Sequence, residues 1–236
     1  MTDRSTLRGG IIAAGEGSRL RRAGWTMPKP LVPVAGVPLI ESVIRNFIAA
    51  RITSLVIILN EQERECVDWV RARFPDVDLQ FIVKTTASSL ESFLEVVRHP
   101  GRGRILISTV DAWCLEADFV GFVTAALRRP PDATVLAVTP LVADEKPLWV
   151  TRDGAGRITR LGGTSGDVVT AGMYLVSERA RMLTPAPGLA RLRDFLVWLC
   201  EHGEPLDSEL IQNVVDVDRA DDVVMAEALA AGARRA

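Results

Sequence analysis

The pattern of apolar and polar positions predicts alternating strands and helices through the first half of the chain. Short continuous apolar runs, which are typical of strands covered on both faces, alternate with segments whose apolar residues recur every three or four positions. The predicted strands are 11–14, 55–59, 79–83 and 104–110, and the predicted helices are 38–51, 66–74 and 90–97. Because strand–helix–strand connections are almost always right-handed, this order favours a parallel sheet with helices on both faces.

The second half of the chain changes to a pattern that is rich in strands. After a predicted helix at 119–127, strand-like runs are separated by turn signals such as Asp153-Gly154-Ala155-Gly156 and Gly162-Gly163. These runs are 133–142, 148–152, 157–161 and 168–176, and two further helices are predicted at 189–201 and 219–231. We therefore expect an α/β fold, a three-layer sandwich with a mixed, mainly parallel sheet and a β-rich insertion. No linker or repeat interrupts residues 1–236, so a single domain is expected.

Composition narrows the possible functions. The 236 residues suffice for a large α/β core, and a net charge of −2 argues against a nucleic-acid partner, which would need many Lys and Arg contacts to phosphate. The three cysteines have no C-x-x-C spacing and there are only two histidines, which argues against a zinc site. No signal-peptide pattern and no apolar run of about 18 residues is present, so we expect a cytoplasmic protein with no membrane partner.

A glycine loop follows the first predicted strand. Gly15-Glu16-Gly17-Ser18-Arg19 comes directly after the apolar run, and Lys29 follows ten residues after Arg19, between two prolines. Backbone N–H groups followed by two cations suit a polyphosphate. The loop lacks the third glycine of the dinucleotide fingerprint, where Leu20 stands, and Glu16 occupies the position of the P-loop lysine. The alternative interpretation, in which the loop binds no phosphate, is an ordinary strand–turn–helix with Arg19 and Lys29 as surface charges.

The motifs A-A-G-E-G-S-R-L, P-K-P-L and P-V-A-G-x-P-L-I lie within residues 13–40. Together they resemble the nucleoside triphosphate transferase family, the sugar-nucleotidyltransferase-like enzymes, whose signature is a G-x-G-x-R loop with PKPL ten residues further on. The resemblance implies that Arg19 holds the β- and γ-phosphates and that Lys29 holds the α-phosphate. It also implies main-chain contacts to the triphosphate from Gly15, Glu16, Gly17 and Ser18, with Ala13 and Ala14 bordering the base and ribose.

Two aspartates are candidate magnesium ligands. Asp111 directly follows a predicted strand, where open α/β sheets bind ligands, and the resembled family carries a metal-binding Asp at this strand end. The late segment 214–222 resembles the family's D-x-D-T-P-E-D-L pattern, which implies that Asp216 binds Mg²⁺ with Asp218 in support. The alternative reading is that these acids form turns or cap helices.

A segment rich in hydroxyl groups is the candidate contact with the nucleotide base. Residues 85–90 resemble the family's G-T-A-x-A-L segment, which implies base contacts from Thr86 and Ser88. The same hydroxyls could instead cap the following helix.

The acceptor side is marked by Ala171-Gly172-Met173-Tyr174, which resembles the A-G-x-Y strand that borders the sugar phosphate. This implies that Gly172 and Tyr174 contact the acceptor. The family's Glu-Lys-Pro segment, which grips the acceptor phosphate, is replaced by residues 162–166, which contain no lysine. Arg160 and Lys146 are the alternative candidates for binding the acceptor phosphate.

The resemblance therefore implies a Mg²⁺-dependent nucleotidyltransferase. Its partners would be a nucleoside triphosphate and a phosphorylated sugar or alcohol, and its products pyrophosphate and an NDP-linked, for example CDP-linked, compound. One alternative is a glycosyltransferase of the similar GT-A fold, for which Asp216-x-Asp218 has the letters of the metal motif. Another is a nucleotide-binding regulator without catalysis.

Overall fold

The computed structural model describes residues 7–99, 101–142 and 146–233, which are organised around a nine-stranded sheet. The strands are β1 (Arg8–Ala13), β2 (Pro33–Val34), β3 (Val37–Pro38), β4 (Ser54–Leu59), β5 (Asp78–Val83), β6 (Ile105–Thr109), β7 (Ala112–Cys114), β8 (Thr134–Thr139), β9 (Trp149–Arg152), β10 (Ile158–Leu161), β11 (Val168–Val176), β12 (Leu206–Leu210) and β13 (Val214–Asp216). The helices are α1 (Ser18–Arg22), α2 (Leu39–Ala49), α3 (Glu65–Arg73), α4 (Ser89–Val97), α5 (Glu116–Ala126), α6 (Glu178–Met182), α7 (Leu192–Glu201) and α8 (Ala220–Ala233).

The sheet is mixed, with a parallel block at one side. The strand order is β10-β9-β11-β6-β1-β4-β5, and β8 pairs with both β11 and β12. β6, β1, β4 and β5 run parallel, as do β8 and β12, whereas β11 is antiparallel to β6, β8 and β9. The predicted α/β class with a mixed sheet is confirmed. Because β1 and β6 are parallel neighbours, the loop after Ala13 and the residues after Thr109 lie at the same edge of the sheet.

Helices cover both faces of the sheet, as the alternation of strands and helices predicts. On one face Ile57 and Leu106 are buried with Phe47 of α2 and Phe119 of α5, whose ring centroids are 5.2 Å apart. The other face buries a second set of side chains, among them Ile58, Ile107, Phe93 of α4 and Phe195 of α7. Two cores on opposite faces thus fix the sheet between its helix layers.

Five strand segments and two short helices were not predicted from the pattern. β7 and β13 form a two-stranded antiparallel ribbon, β2 and β3 form a small hairpin, and β12 extends the main sheet beside β8. The two unpredicted short helices are α1 and α6. Residues 1–6, 100, 143–145 and 234–236 lie outside the described residues. No helix in the described ranges is long and apolar enough to cross a membrane.

Candidate active site

The glycine loop leads from β1 into the short helix α1. Ala13 is buried at the end of β1, Ala14 is half-buried, and Gly15, Glu16 and Ser18 are exposed. Gly17 precedes α1 with φ of 60°, in the left-handed region that favours glycine. A Cβ at Gly17 would lie 2.8 Å from the Lys29 Cβ, so the loop can pack against Lys29 only with glycine here.

Lys29 lies at the centre of a cluster of charges. It begins a short 3₁₀ turn, Lys29–Leu31, and its side chain is only 6% exposed. Its Nζ donates to Asp111 Oδ2 at 2.6 Å and also to Asp218 Oδ1. Arg19, which is half-exposed, donates from Nη1 to Asp218 Oδ2 at 2.8 Å. Asp218 therefore bridges the two cations that the sequence assigns to the phosphates.

The ribbon of β7 and β13 brings the carboxylates together. Asp111 precedes β7, and Asp216, the last residue of β13, pairs with Ala112. The Val217 N–H donates to the Asp111 carbonyl at 3.0 Å, which ties the connection that carries Asp218 to the same edge. The candidate magnesium ligands predicted from the sequence are Asp111 and Asp216, with Asp218 in support. The structure places all three at one site, with Asp218 on Lys29 and Arg19.

The charges in this cluster stabilise one another. Burial lowers the pKa of Lys29, but Asp111 and Asp218 outweigh burial and raise that pKa above its ordinary value. Burial raises the pKa of Asp111, but the Lys29 ammonium outweighs it and holds the pKa of this carboxyl below its usual range. Lys29 is therefore a fixed cation, and Asp111 a fixed anion, at neutral pH.

The carboxylates fit a magnesium ion that receives further ligands from its substrate. Mg²⁺ prefers oxygen ligands, keeps several waters and is usually bound by one or two carboxylates together with phosphates. Within the described ranges, no group of three or more His, Cys, Asp or Glu side chains is arranged to hold a metal ion by itself. Asp111 and Asp216 supply the right donor type for an open site of this kind.

The hydroxyls of the candidate base segment are engaged at the start of α4. Ser88 Oγ accepts a hydrogen bond from the Glu91 N–H at 3.1 Å and so caps the helix. Thr86 Oγ1 lies 2.6 Å from Ser92 Oγ. The capping alternative is therefore present in the structure, while base contact by Thr86 and Ser88 stays a prediction.

A cavity of about 590 Å³ lies beside the charge cluster. Gly172 and Tyr174 of β11 line it together with Arg19, Asp111 and the two other aspartates. Gly172 has φ of 70°, and a Cβ there would come within 2.7 Å of both Ala112 Cβ and Thr109 Oγ1. The predicted acceptor strand therefore packs closely on the segment that carries Asp111.

Two arginines of the cavity wall were not assigned from the sequence. Arg191 and Arg193, at the start of α7, line the cavity together with Lys146. Lys146 was one of the two alternative candidates for binding the acceptor phosphate. The other, Arg160, is not among the lining residues; it is exposed and donates to Ser165 O and Thr151 Oγ1.

A buried carboxylate near the loop also escaped the sequence analysis. Glu63 ends a 3₁₀ turn, Glu61–Glu63, after β4 and is 2% exposed. Burial raises the pKa of Glu63 to about 7, against the opposing charge of Arg21, whose Nη2 is 3.7 Å from Oε1. Its neighbours in the sequence are polar and exposed, so the pattern gave no signal for burial.

Comparison with known proteins identifies a family and several relatives. The model of the family described as MobA-like NTP transferase domain matches residues 9–191. The CMP-5'-(3-aminopropyl)phosphonate synthase of Streptomyces rubellomurinus is 25% identical over 188 residues, covering 75% of this chain and 29% of that protein. The bifunctional IPC transferase and DIPP synthase of Rubrobacter xylanophilus is 28% identical over 240 residues, covering 98% of this chain and 53% of that protein. The match thus spans 29% of the length of the first relative and 53% of the length of the second.

Solved structures share the fold. The inositol-1-phosphate CTP transferase from T. maritima has a TM-score of 0.81 at 16% sequence identity, with 96% of this chain and 98% of that chain covered. At this identity the similarity shows the fold alone. The family model, in contrast, covers most of the chain, including the loop, Lys29 and Asp111. The resemblance drawn from residues 13–40 is confirmed, and the chain belongs to the family of MobA-like NTP transferase domains.

Proposed function

We propose that this protein is a Mg²⁺-dependent nucleotidyltransferase that joins a nucleoside triphosphate to a phosphorylated sugar or alcohol and releases pyrophosphate. The observation that carries the proposal is the buried Lys29 ammonium, which contacts Asp111 and Asp218 and packs against the glycine loop at Gly17. A fixed cation between a polyphosphate loop and metal-binding carboxylates provides the charge stabilisation that nucleotidyl transfer requires.

The donor nucleotide would lie along the loop and α1. The backbone of Gly15, Glu16, Gly17 and Ser18 would contact the triphosphate, and Ala13 and Ala14 would border the base and ribose. Arg19 is half-exposed, and its planar fork suits the β- and γ-phosphates. Lys29 is buried and presents a single charge, which suits the α-phosphate at the reacting centre.

In the reaction, an oxygen of the acceptor phosphate attacks the α-phosphorus in line. A new P–O bond forms as the bond between the α-phosphorus and the bridging oxygen breaks, and pyrophosphate leaves. The attacking phosphate is already ionised near neutral pH, so no side chain needs to remove a proton. Lys29 stabilises the charge that develops on the α-phosphoryl oxygens, and its raised pKa keeps it protonated throughout.

Asp111 and Asp216 would hold the magnesium ion, with Asp218 close by. When bound, the ion supplies positive charge to the triphosphate. Asp218 accepts hydrogen bonds from both Lys29 and Arg19 in the free protein. A bound triphosphate would replace Asp218 on Arg19, so that this carboxylate becomes available to the metal site.

The names of the relatives support a choice of substrates to test first. The Streptomyces relative is named for a CMP-linked phosphonate, and the T. maritima structure is titled a CTP transferase. We therefore propose CTP as the first donor to test, with CDP-linked products from phosphate acceptors and CMP-linked products from phosphonates.

Pyrophosphate release tests the proposal directly. The purified protein is incubated with each of the four NTPs, Mg²⁺ and one of a panel of acceptors: hexose 1-phosphates, inositol 1-phosphate, glycerol phosphate and 2-aminoethylphosphonate. We expect release that requires both an acceptor and Mg²⁺ and stops with EDTA. Release without any acceptor, or none with any pair, contradicts the proposal. Cleavage of a nucleotide sugar instead would support the glycosyltransferase, and nucleotide binding without turnover the regulator.

A matched pair of variants tests the assignment on α1. Arg19→Gln should lower kcat/KM for the nucleotide about 10- to 100-fold, because a charge-assisted contact to phosphate is lost. Arg22→Gln, on the same helix and exposed, should behave like the parent protein. Equal losses in both variants would show a disturbed helix rather than a lost phosphate contact.

A further inference from the structure

The cavity contains positive charge that the proposed reaction has not yet used. Arg19 and Lys29 are assigned to the donor nucleotide, and the carboxylates to the metal. The wall of the same cavity also carries Lys146, Arg191 and Arg193. Oxyanions are the ligands that clustered arginine and lysine side chains recognise, so this part of the cavity suits an anionic ligand.

Arg193 is held in place by the core and by a neighbouring segment. It lies in the first turn of α7, and Leu192 and Phe195 on either side of it are buried. The Leu192 N–H donates to Ser89 Oγ at 3.0 Å, which joins the start of α7 to α4. Arg193 Nη2 donates to the carbonyl oxygen of Lys146. That bond orients the guanidinium without neutralising it, and several of its five N–H donors are left for another ligand.

The charge of Arg193 reaches the space next to the metal carboxylates. Tyr174 is buried in the cavity wall, and burial, Asp216 and Asp111 together raise the pKa of its hydroxyl. Arg193 acts on the same hydroxyl in the opposite direction. Arg193, Asp111 and Asp216 therefore all lie within electrostatic range of one side chain, which is the arrangement expected if the acceptor phosphate enters between them.

The other arginines are less suited to this task. Arg191 lines the cavity, but its guanidinium binds Asp194 through Nε at 2.9 Å and Nη2 at 3.2 Å, so a carboxylate already occupies its fork. Arg160 lies outside the residues that line the cavity, and its exposed side chain binds Ser165 O and Thr151 Oγ1.

We propose that Arg193 binds the phosphate or phosphonate group of the acceptor and orients it for attack, an inference that rests on the proposed nucleotidyl transfer. The fork of the guanidinium binds two oxygens of the group, and the third oxygen attacks the α-phosphorus. This residue takes over the task that the lysine of the Glu-Lys-Pro segment performs in the resembled family. The acceptor class is therefore a small compound with a terminal phosphate or phosphonate.

Kinetics on matched variants test the assignment. Arg193→Gln should raise KM for the acceptor about 10- to 100-fold, because one charge-assisted pair of hydrogen bonds is lost, and leave KM for the NTP within about threefold. Arg193→Lys keeps the charge but not the fork, so its acceptor KM should be intermediate. Arg160→Gln is the control and should match the parent. If both Arg193→Gln and Arg193→Lys raise KM for the acceptor and KM for the NTP by the same factor, the assignment is wrong.

A binding measurement separates this inference from the proposed function. The line width of methylphosphonate in ³¹P NMR is recorded with the parent, Arg193→Gln and Arg160→Gln. We expect broadening by the parent and by Arg160→Gln, and much less by Arg193→Gln. If the parent releases no pyrophosphate but this pattern holds, the reaction is wrong and the anion site stands. If the parent is active, but Arg193→Gln keeps the parent acceptor KM and the parent broadening, the role of Arg193 is wrong.

Discussion

The buried Glu63 carboxylate should make the stability of the protein fall as the pH rises. An acid whose pKa rises from 4.5 to about 7 on folding remains protonated in the folded state while the unfolded state ionises. The folded state therefore binds more protons between these two pH values, and stability is lost as the pH rises through them. Above both values the loss amounts to about 3 kcal/mol, since each pKa unit corresponds to about 1.4 kcal/mol.

Urea denaturation at a series of pH values between 5 and 8.5 measures this effect. In Glu63→Gln the group no longer ionises, so the stability of the variant relative to the parent should be about 2.5 kcal/mol higher at pH 8.5 than at pH 5. With typical urea slopes this corresponds to a difference of about 1 M in midpoint. Glu61→Gln, exposed on the same 3₁₀ turn, is the matched control and should follow the parent. If Glu63→Gln follows the pH dependence of the parent, the reasoning on burial is refuted.

Three further predictions concern the reaction centre, the packing of β11 and the thiols. Lys29→Ala should lower kcat in the pyrophosphate assay about 10²- to 10³-fold, as the loss of one preorganised donor does; parent turnover would contradict its role. Gly172→Ala should lower the free energy of unfolding, measured by urea denaturation, by more than about 2 kcal/mol. Gly188→Ala, with φ of 90° but open space around it, should lower it by only about 1 kcal/mol. Equal losses in the two variants would refute the close packing at Gly172. Cys66 is buried, with a pKa raised to about 12 mainly by burial, so a thiol reagent should modify the half-exposed Cys200 first in the native protein; the reverse order would contradict this.

The predicted elements that the structure confirms are those whose burial is carried by apolar side chains. β4 and α2 have continuous or periodic apolar residues and were predicted to within about two residues. β12 was missed because Asp207 and Ser208 are buried in its middle. Ser208 Oγ donates to the Gly156 carbonyl at 2.8 Å, and these two residues are 52 positions apart in the sequence. Polar residues that find partners at such distances leave no trace in a local hydrophobic pattern.

The residues of the candidate site likewise fall into those that the sequence predicts and those that it does not. The loop and Lys29 were predictable because they lie within one short segment with a characteristic spacing. Asp111 was named from its position after a buried strand together with the resemblance to the family, and its binding of a metal stays a prediction. Arg193 reads as a surface charge at a helix start in the sequence, because only the packing of α7 against α4 brings it to the cavity. The contact of Asp218 with Lys29 depended on the ribbon of β7 and β13, whose three-residue strands are too short to show a pattern.

The charge cluster joins residues from both ends of the described chain, and this has a consequence for its synthesis. Asp218 lies 199 positions after Arg19 and 189 after Lys29, whereas Asp111 follows Lys29 by 82. A nascent chain that has emerged from the ribosome only as far as α7 has the loop, Lys29 and the parallel strands, but neither β13 nor Asp218. The part of the protein that would hold the nucleotide is therefore made first, and Asp218, the carboxylate that bonds to both Arg19 and Lys29, is made last.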